Sequence, residues 1–74
     1  MNAGEATRLA HMARQIAEAF RALPPEEGAA AVAGHINQFW PVMMRRELLE
    51  RYGADPAWLD PLVAAATKHI RVPA

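Results

Sequence analysis

The sequence predicts an all-α protein, a small single-domain bundle of three to four short helices that spans residues 1–74. Two observations predict this class: large apolar side chains recur three and four residues apart, and prolines separate the stretches in which they do so. No window alternates apolar and polar residues as a half-buried strand does. The pattern places the helices at roughly residues 5–23, 25–40, 41–52 and 60–71.

The first two helices are separated by Pro24 and Pro25. A proline disfavours helical geometry at the residue before it, so the first helix is expected to end at Leu23. Pro25 suits the first position of the second helix, whose first turn then carries two glutamates. The predicted core positions are Leu9, Met12, Ala13, Ile16, Phe20 and Leu23 in the first helix, and Ala29, Val32, Ala33, Ile36 and either Trp40 or Phe39 in the second.

Prolines and a glycine also bound the last two helices. Pro41 ends or bends the second helix, and Gly53 is predicted to close the third in a left-handed conformation. Asp55-Pro56 is interpreted as a single turn that carries Trp58, whereas Asp60-Pro61 is the predicted N-cap and first residue of the fourth helix. The predicted core positions are Met44, Leu48, Leu49 and Tyr52, followed by Leu62, Val63, Ala66 and Ile70.

Composition argues against two classes of partner. Eight basic and eight acidic residues cancel, whereas a nucleic-acid-binding protein normally has a basic excess. The longest stretch without a formal charge, residues 28–44, contains a histidine, two amides and a proline, and so it does not predict a membrane span. The N-terminus lacks the apolar run of a signal peptide, and we expect a cytoplasmic protein.

The residues needed for catalysis or metal binding are few. The chain contains neither cysteine nor serine. His11, His35 and His69 lie on three separate predicted helices, and none has a second ligand at the spacing of a known metal motif. Glu47 and Glu50 share one helix face with arginines and resemble a solvated surface. We therefore expect no catalytic, cofactor-binding or metal-ligating residue, and no cofactor on this chain.

The chain has more aromatic and methionine side chains than so small a core is expected to cover, and four of them lie in the segment "GHINQFWPVMMRRELL", residues 34–49. Asn37 and Gln38 are expected to face solvent. Aromatic residues and arginine dominate the energetic centres of interfaces, so the exposed part of this segment is predicted to bind a partner, with Phe39 or Trp40 as its centre. The predicted partner-binding residues are His35, Phe39, Trp40, Met43, Met44 and Arg45.

Three blocks of the sequence resemble one family. They are "RLAHMARQIAEAF" (8–20), "AVAGHINQFWPVMMR" (31–45) and "LDPLV" (59–63), of which the second is the most distinctive. In their order and spacing they resemble the delta subunit of soluble NAD-dependent formate dehydrogenases, which contain molybdenum. The resemblance implies an accessory subunit without its own active site. It would dock on the large molybdenum-binding subunit and stabilise it or help to assemble it, while other subunits carry electrons to NAD.

Two other functions fit the same residues. The surplus apolar side chains could close a homo-oligomer, which would make the chain a self-associating helical module. Alternatively, His35, Asn37 and nearby arginines could recognise a nucleotide-like group, as in a small cofactor-handling assembly factor.

Overall fold

Four α-helices connected by short turns form the computed structural model, which describes residues 3–73. No strand occurs within those residues, so the prediction of a small all-α bundle is confirmed. Residues 1, 2 and 74 of the predicted domain lie outside the described part. The elements are α1 (Ala3–Glu18), α2 (Pro25–Phe39), α3 (Val42–Tyr52) and α4 (Pro61–Ala66), with 3₁₀ turns at Pro56–Trp58 and Thr67–His69.

The core lies where the apolar faces of the four helices meet, and α2 contacts the other three. The buried positions of α1 and α2 include several alanines, whose side chains are small. A few larger apolar side chains fill the centre of the core. The buried apolar residues are Ala6, Leu9, Ala13, Ala17, Ala29, Val32, Ala33, Ile36, Trp40, Leu48, Tyr52, Leu59, Val63, Ala66 and Ile70. Most of the large positions predicted from the spacing are therefore in the core or pack against it.

Helix α1 ends at Glu18, earlier than the predicted end at Leu23. The amides of Ala19 and Phe20 donate to carbonyls three residues back, at 3.1 and 2.9 Å, which is the tighter spacing of a 3₁₀ turn. The proline that follows Leu23 is in extended geometry, so the chain has to leave the helix before it. Leu23 is 41% exposed, and its prediction as a core residue was wrong.

The third helix ends at Gly53 without a left-handed residue. Gly53 has φ −62° and ψ −35°, and no described glycine has a positive φ, so the predicted left-handed cap was wrong. Glycine is needed there for a different reason. Its amide donates to the Leu49 carbonyl at 2.7 Å, and a Cβ atom at residue 53 would lie only 2.5 Å from that oxygen.

The two Asp-Pro pairs behave differently. Asp60 Oδ2 accepts the amides of Leu62 and Val63 at 2.9 and 3.4 Å, so Asp60 is the N-cap of α4 as predicted. Asp55 makes no capping hydrogen bond, although Pro56 does begin the single turn that carries Trp58.

The end of α4 was predicted at residue 71, but α-helical geometry stops at Ala66 and a 3₁₀ turn follows. Residue 70 is then extended, and side chains from α2 and α3 bind the backbone of residues 69–71. These side chains satisfy the backbone groups that a longer helix would have paired internally.

Candidate docking surface

The chain turns sharply between α2 and α3. Trp40, at φ −89° and ψ 134°, and Pro41, at φ −57° and ψ 151°, both have extended backbones. The amides of Met44 and Arg45 donate to the Pro41 carbonyl at 3.0 and 3.2 Å, which starts α3 directly after the proline. We call residues 39–43 the α2–α3 corner. Its short connection holds the last residue of α2 and the first turn of α3 in a defined relative position.

Two large apolar side chains are exposed at this corner. Phe39 is 62% exposed and Met43 is 78% exposed. The ring of His35, one turn before Phe39, lies 4.7 Å from the phenyl ring with 42° between the planes. This tilted aromatic contact packs the phenyl ring on one side and leaves the rest of it accessible.

The structure decides between the two adjacent aromatics. Trp40 is only 6% exposed and belongs to the core, so it offers a partner little surface in this structure. Its amide donates to the Ile36 carbonyl at 2.9 Å, which continues the last turn of α2 while the chain leaves the helix. Met44 is partly buried against the same core. Of the six predicted partner-binding residues, Phe39 and Met43 therefore offer most of the accessible apolar surface.

Arg45 joins the corner to the end of the chain. Its Nε atom donates to the Trp40 carbonyl at 3.1 Å, and its Nη1 atom donates to the Arg71 carbonyl at 2.7 Å. The sequence predicted this arginine as a partner-binding residue beside the aromatic centre of the surface. The two bonds give it a structural role, because they fix the C-terminal segment beside α3.

Asn37 has a similar role, which sequence reasoning missed. Its Nδ2 atom donates to the His69 carbonyl at 3.1 Å, and its Oδ1 atom accepts the amide of Arg71 at 2.8 Å. The expectation that it faces only solvent was wrong. A signal was present, since Asn37 lies one turn after the buried Ala33 and so borders the core face of α2.

A second exposed aromatic lies elsewhere on the surface. Trp58 is 74% exposed and borders an open cleft of about 370 Å³. Side chains of α1, the end of α3 and the segment before α4 line this cleft, including His11, Arg14 and Tyr52. The sequence placed Trp58 on a single turn but did not single it out as a functional residue.

The three histidines do not form a site. His35 contacts Phe39, His11 lines the cleft beside Trp58, and His69 precedes the C-terminal segment. Among the side chains that the structure describes, no three of histidine, cysteine, aspartate or glutamate are grouped so that they could hold a metal ion.

No helix in the described part of the chain is long and apolar enough to cross a membrane.

The fold and this surface define a small all-α protein with an exposed apolar corner. The chain belongs to the family of the NADH-dependent formate dehydrogenase delta subunit, FdsD, whose family model matches residues 8–67. The match includes all three blocks on which the resemblance rested. Comparison with curated proteins and with solved structures gave no match.

Proposed function

We propose that this chain is a non-catalytic accessory subunit of formate dehydrogenase that docks on the large molybdenum-binding subunit. Docking stabilises that subunit or helps to assemble it. Membership of the delta-subunit family supports a role within this enzyme complex. The α2–α3 corner is the proposed contact, with Phe39 at its centre, Met43 beside it and His35 packed behind the phenyl ring.

The exposure of Phe39 and Met43 is the observation that carries this proposal. The chain has enough apolar side chains to fill its core, and Trp40 from the same segment is used there. Phenylalanine and methionine are enriched in protein interfaces, where their burial supplies much of the binding free energy. The contact with His35 restricts the phenyl ring before binding, which lowers the entropy lost when a partner covers it.

We further propose that the chain carries no cofactor and performs no chemical step. Iron–sulfur clusters are held by cysteine thiolates, and the sequence contains no cysteine. The chain then contributes only by binding the large subunit in the cytoplasm. The electron-transfer groups belong to other subunits.

The test is the affinity of the purified chain for the purified large subunit. Phe39→Ala is expected to weaken binding by ~2 kcal/mol or more, about thirtyfold, while the variant folds normally. Trp58→Ala is the matched control, because it also removes a mostly exposed aromatic side chain, but one away from the corner. Wild-type affinity for Phe39→Ala together with a loss for Trp58→Ala would contradict the proposed surface and indicate the cleft instead.

Self-association uses the same exposed side chains and is tested in the same preparation. Light scattering of the isolated chain measures its mass. A stable homodimer that Phe39→Ala converts to monomer, combined with no binding to the large subunit, would contradict docking and favour the self-associating module.

A further inference from the structure

The exposed apolar corner lies among arginines. Arg45 donates to the carbonyls of Trp40 and Arg71, which are neutral groups, so these bonds leave its positive charge without a counter-charge. The 2.7 Å bond to the Arg71 carbonyl also brings the C-terminal segment next to Arg45, and Arg71 is an exposed residue. Two arginines that are far apart in the sequence therefore lie at one end of the bundle.

Arg46 adds a third positive charge. It is exposed, and it follows Met43 by three residues, so the two side chains are neighbours on the surface of α3. Within the described residues, Arg46 makes no ion pair. Its guanidinium group is thus available to a partner that covers Met43.

Two carboxylates, Glu47 and Glu50, lie on α3 within one turn of Met43 and Arg46 respectively, and none lies on the α2 side of the corner. The whole chain has no net charge, yet no acidic residue occurs between Glu27 and Glu47. Glu47, four residues after Met43, is the acidic residue nearest to the corner in the sequence. Glu18 and Asp60 bind Arg21, and Glu26 lies 3.8 Å from Lys68, so these three carboxylates compensate other cations. Arg45, Arg46 and Arg71 therefore outnumber Glu47 and Glu50 at this end of the molecule, although the whole chain has no net charge.

We propose that the α2–α3 corner binds an apolar pocket whose rim carries aspartate or glutamate side chains. This inference rests on the proposed function, and the pocket belongs to the large subunit. Phe39 and Met43 enter the pocket, while Arg46 and Arg71 face its acidic rim. Arginine binds carboxylates through two parallel hydrogen bonds, and complementary charge at an interface raises the association rate and excludes partners of the wrong charge.

The experiment measures the association rate of the chain with the purified large subunit as a function of salt concentration. Wild-type association is expected to slow as salt rises. At low salt, Arg46→Glu and Arg71→Glu are each expected to associate ~10-fold more slowly than wild type. The difference should nearly vanish at about 1 M salt, where screening acts within a few ångströms.

Arg14→Glu is the matched control. It changes the net charge by the same amount on an exposed position of α1 that lines the cleft beside Trp58. Its association rate is expected to stay within about twofold of wild type. A urea unfolding curve for each variant establishes that the compared proteins are folded.

Four results would overturn the inference. If wild type binds but its rate does not depend on salt, or if both corner variants associate at the wild-type rate, the rim is not acidic and docking through Phe39 still stands. If Arg14→Glu slows association as much as Arg46→Glu, the effect comes from net charge and not from the corner. If wild type does not bind the large subunit at all, the proposed function fails, and this inference fails with it.

Discussion

The guanidinium group of Arg21 binds both carboxylate oxygens of Asp60, at 2.7 Å from Nη2 to Oδ1 and 3.3 Å from Nη1 to Oδ2. Asp60 is also the N-cap of α4, so one carboxylate joins the turn after α1 to the start of the last helix. Glu18 binds the same arginine at 3.1 Å. The start of α4 therefore depends on a residue that lies 39 positions away.

Asp60→Ala is expected to lower the free energy of unfolding by about 1–2 kcal/mol, because both the cap and the ion pair are lost. Arg21→Ala removes the ion pairs with Asp60 and Glu18 but leaves the cap, and it should cost less than Asp60→Ala, because the arginine is exposed and solvent screens its ion pairs. Urea unfolding of the two single variants and the double variant measures the coupling. Equal losses for Arg21→Ala and Asp60→Ala would show that the cap contributes nothing.

Acid should weaken this contact. Burial raises the pKa of the Asp60 carboxyl, but hydrogen bonds from Arg21 and from the amides of Leu62 and Val63 outweigh burial, and the pKa lies below its ordinary value. An acid whose pKa is lower in the folded state contributes stability above its unfolded pKa of about 3.9 and loses it as the pH falls through the folded value. Wild type is therefore expected to lose more stability than Asp60→Asn between about pH 5 and pH 2. Parallel pH profiles from urea unfolding would contradict this assignment.

Asn37→Ala is expected to destabilise the protein by about 1–2 kcal/mol, because it removes two hydrogen bonds to the backbone of the C-terminal segment. The amide of Arg71 should also exchange with solvent faster, which hydrogen-exchange NMR measures directly. The neighbouring Gln38→Ala is the control, since Gln38 is exposed and should change stability by less than about 0.5 kcal/mol. Similar effects of the two substitutions would argue against a specific role for Asn37.

Two glycine substitutions should have opposite effects. Gly34 lies within α2 with nothing near its missing side chain, so Gly34→Ala is expected to stabilise the protein by about 0.5–1 kcal/mol. Gly53→Ala places a methyl group against the Leu49 carbonyl and should destabilise it by roughly 1–3 kcal/mol. Thermal unfolding of both variants tests the pair. Stabilisation by Gly53→Ala would show that the end of α3 relaxes at little cost.

Helix positions were predictable because apolar spacing and proline are local signals. Pro24, Pro41 and Asp60-Pro61 each mark a boundary within a few residues of the observed one. The partners of Asn37 and Arg45 in the C-terminal segment were not predictable, because these contacts join residues distant in the sequence; the spacing indicated only that Asn37 borders the core face of α2. The early end of α1 was missed for a related reason. Periodicity does not distinguish the last α-helical turn from the 3₁₀ turn that replaces it.

Periodicity also could not predict which of Phe39 and Trp40 is buried. One position along a helix rotates a side chain by about 100°, and these residues lie where the helix ends, so either could continue the buried stripe. In the structure the backbone of Trp40 is extended and its indole ring packs in the core, whereas the phenyl ring of Phe39 stays outside.

This difference predicts opposite behaviour for the adjacent aromatics. Trp40→Ala removes a buried side chain and is expected to cost about 3–5 kcal/mol, which would unfold most of so small a protein. Trp40→Phe keeps part of the volume and should give a folded but less stable chain in which the loss can be measured. Phe39→Ala is expected to change the free energy of unfolding by less than about 1 kcal/mol, because the phenyl ring is mostly exposed and contacts His35. Urea unfolding of the three variants decides the matter. A large loss for Phe39→Ala with little effect of Trp40→Phe would mean that Phe39 supports the fold, and the affinity test of the docking surface would then have to rely on Met43.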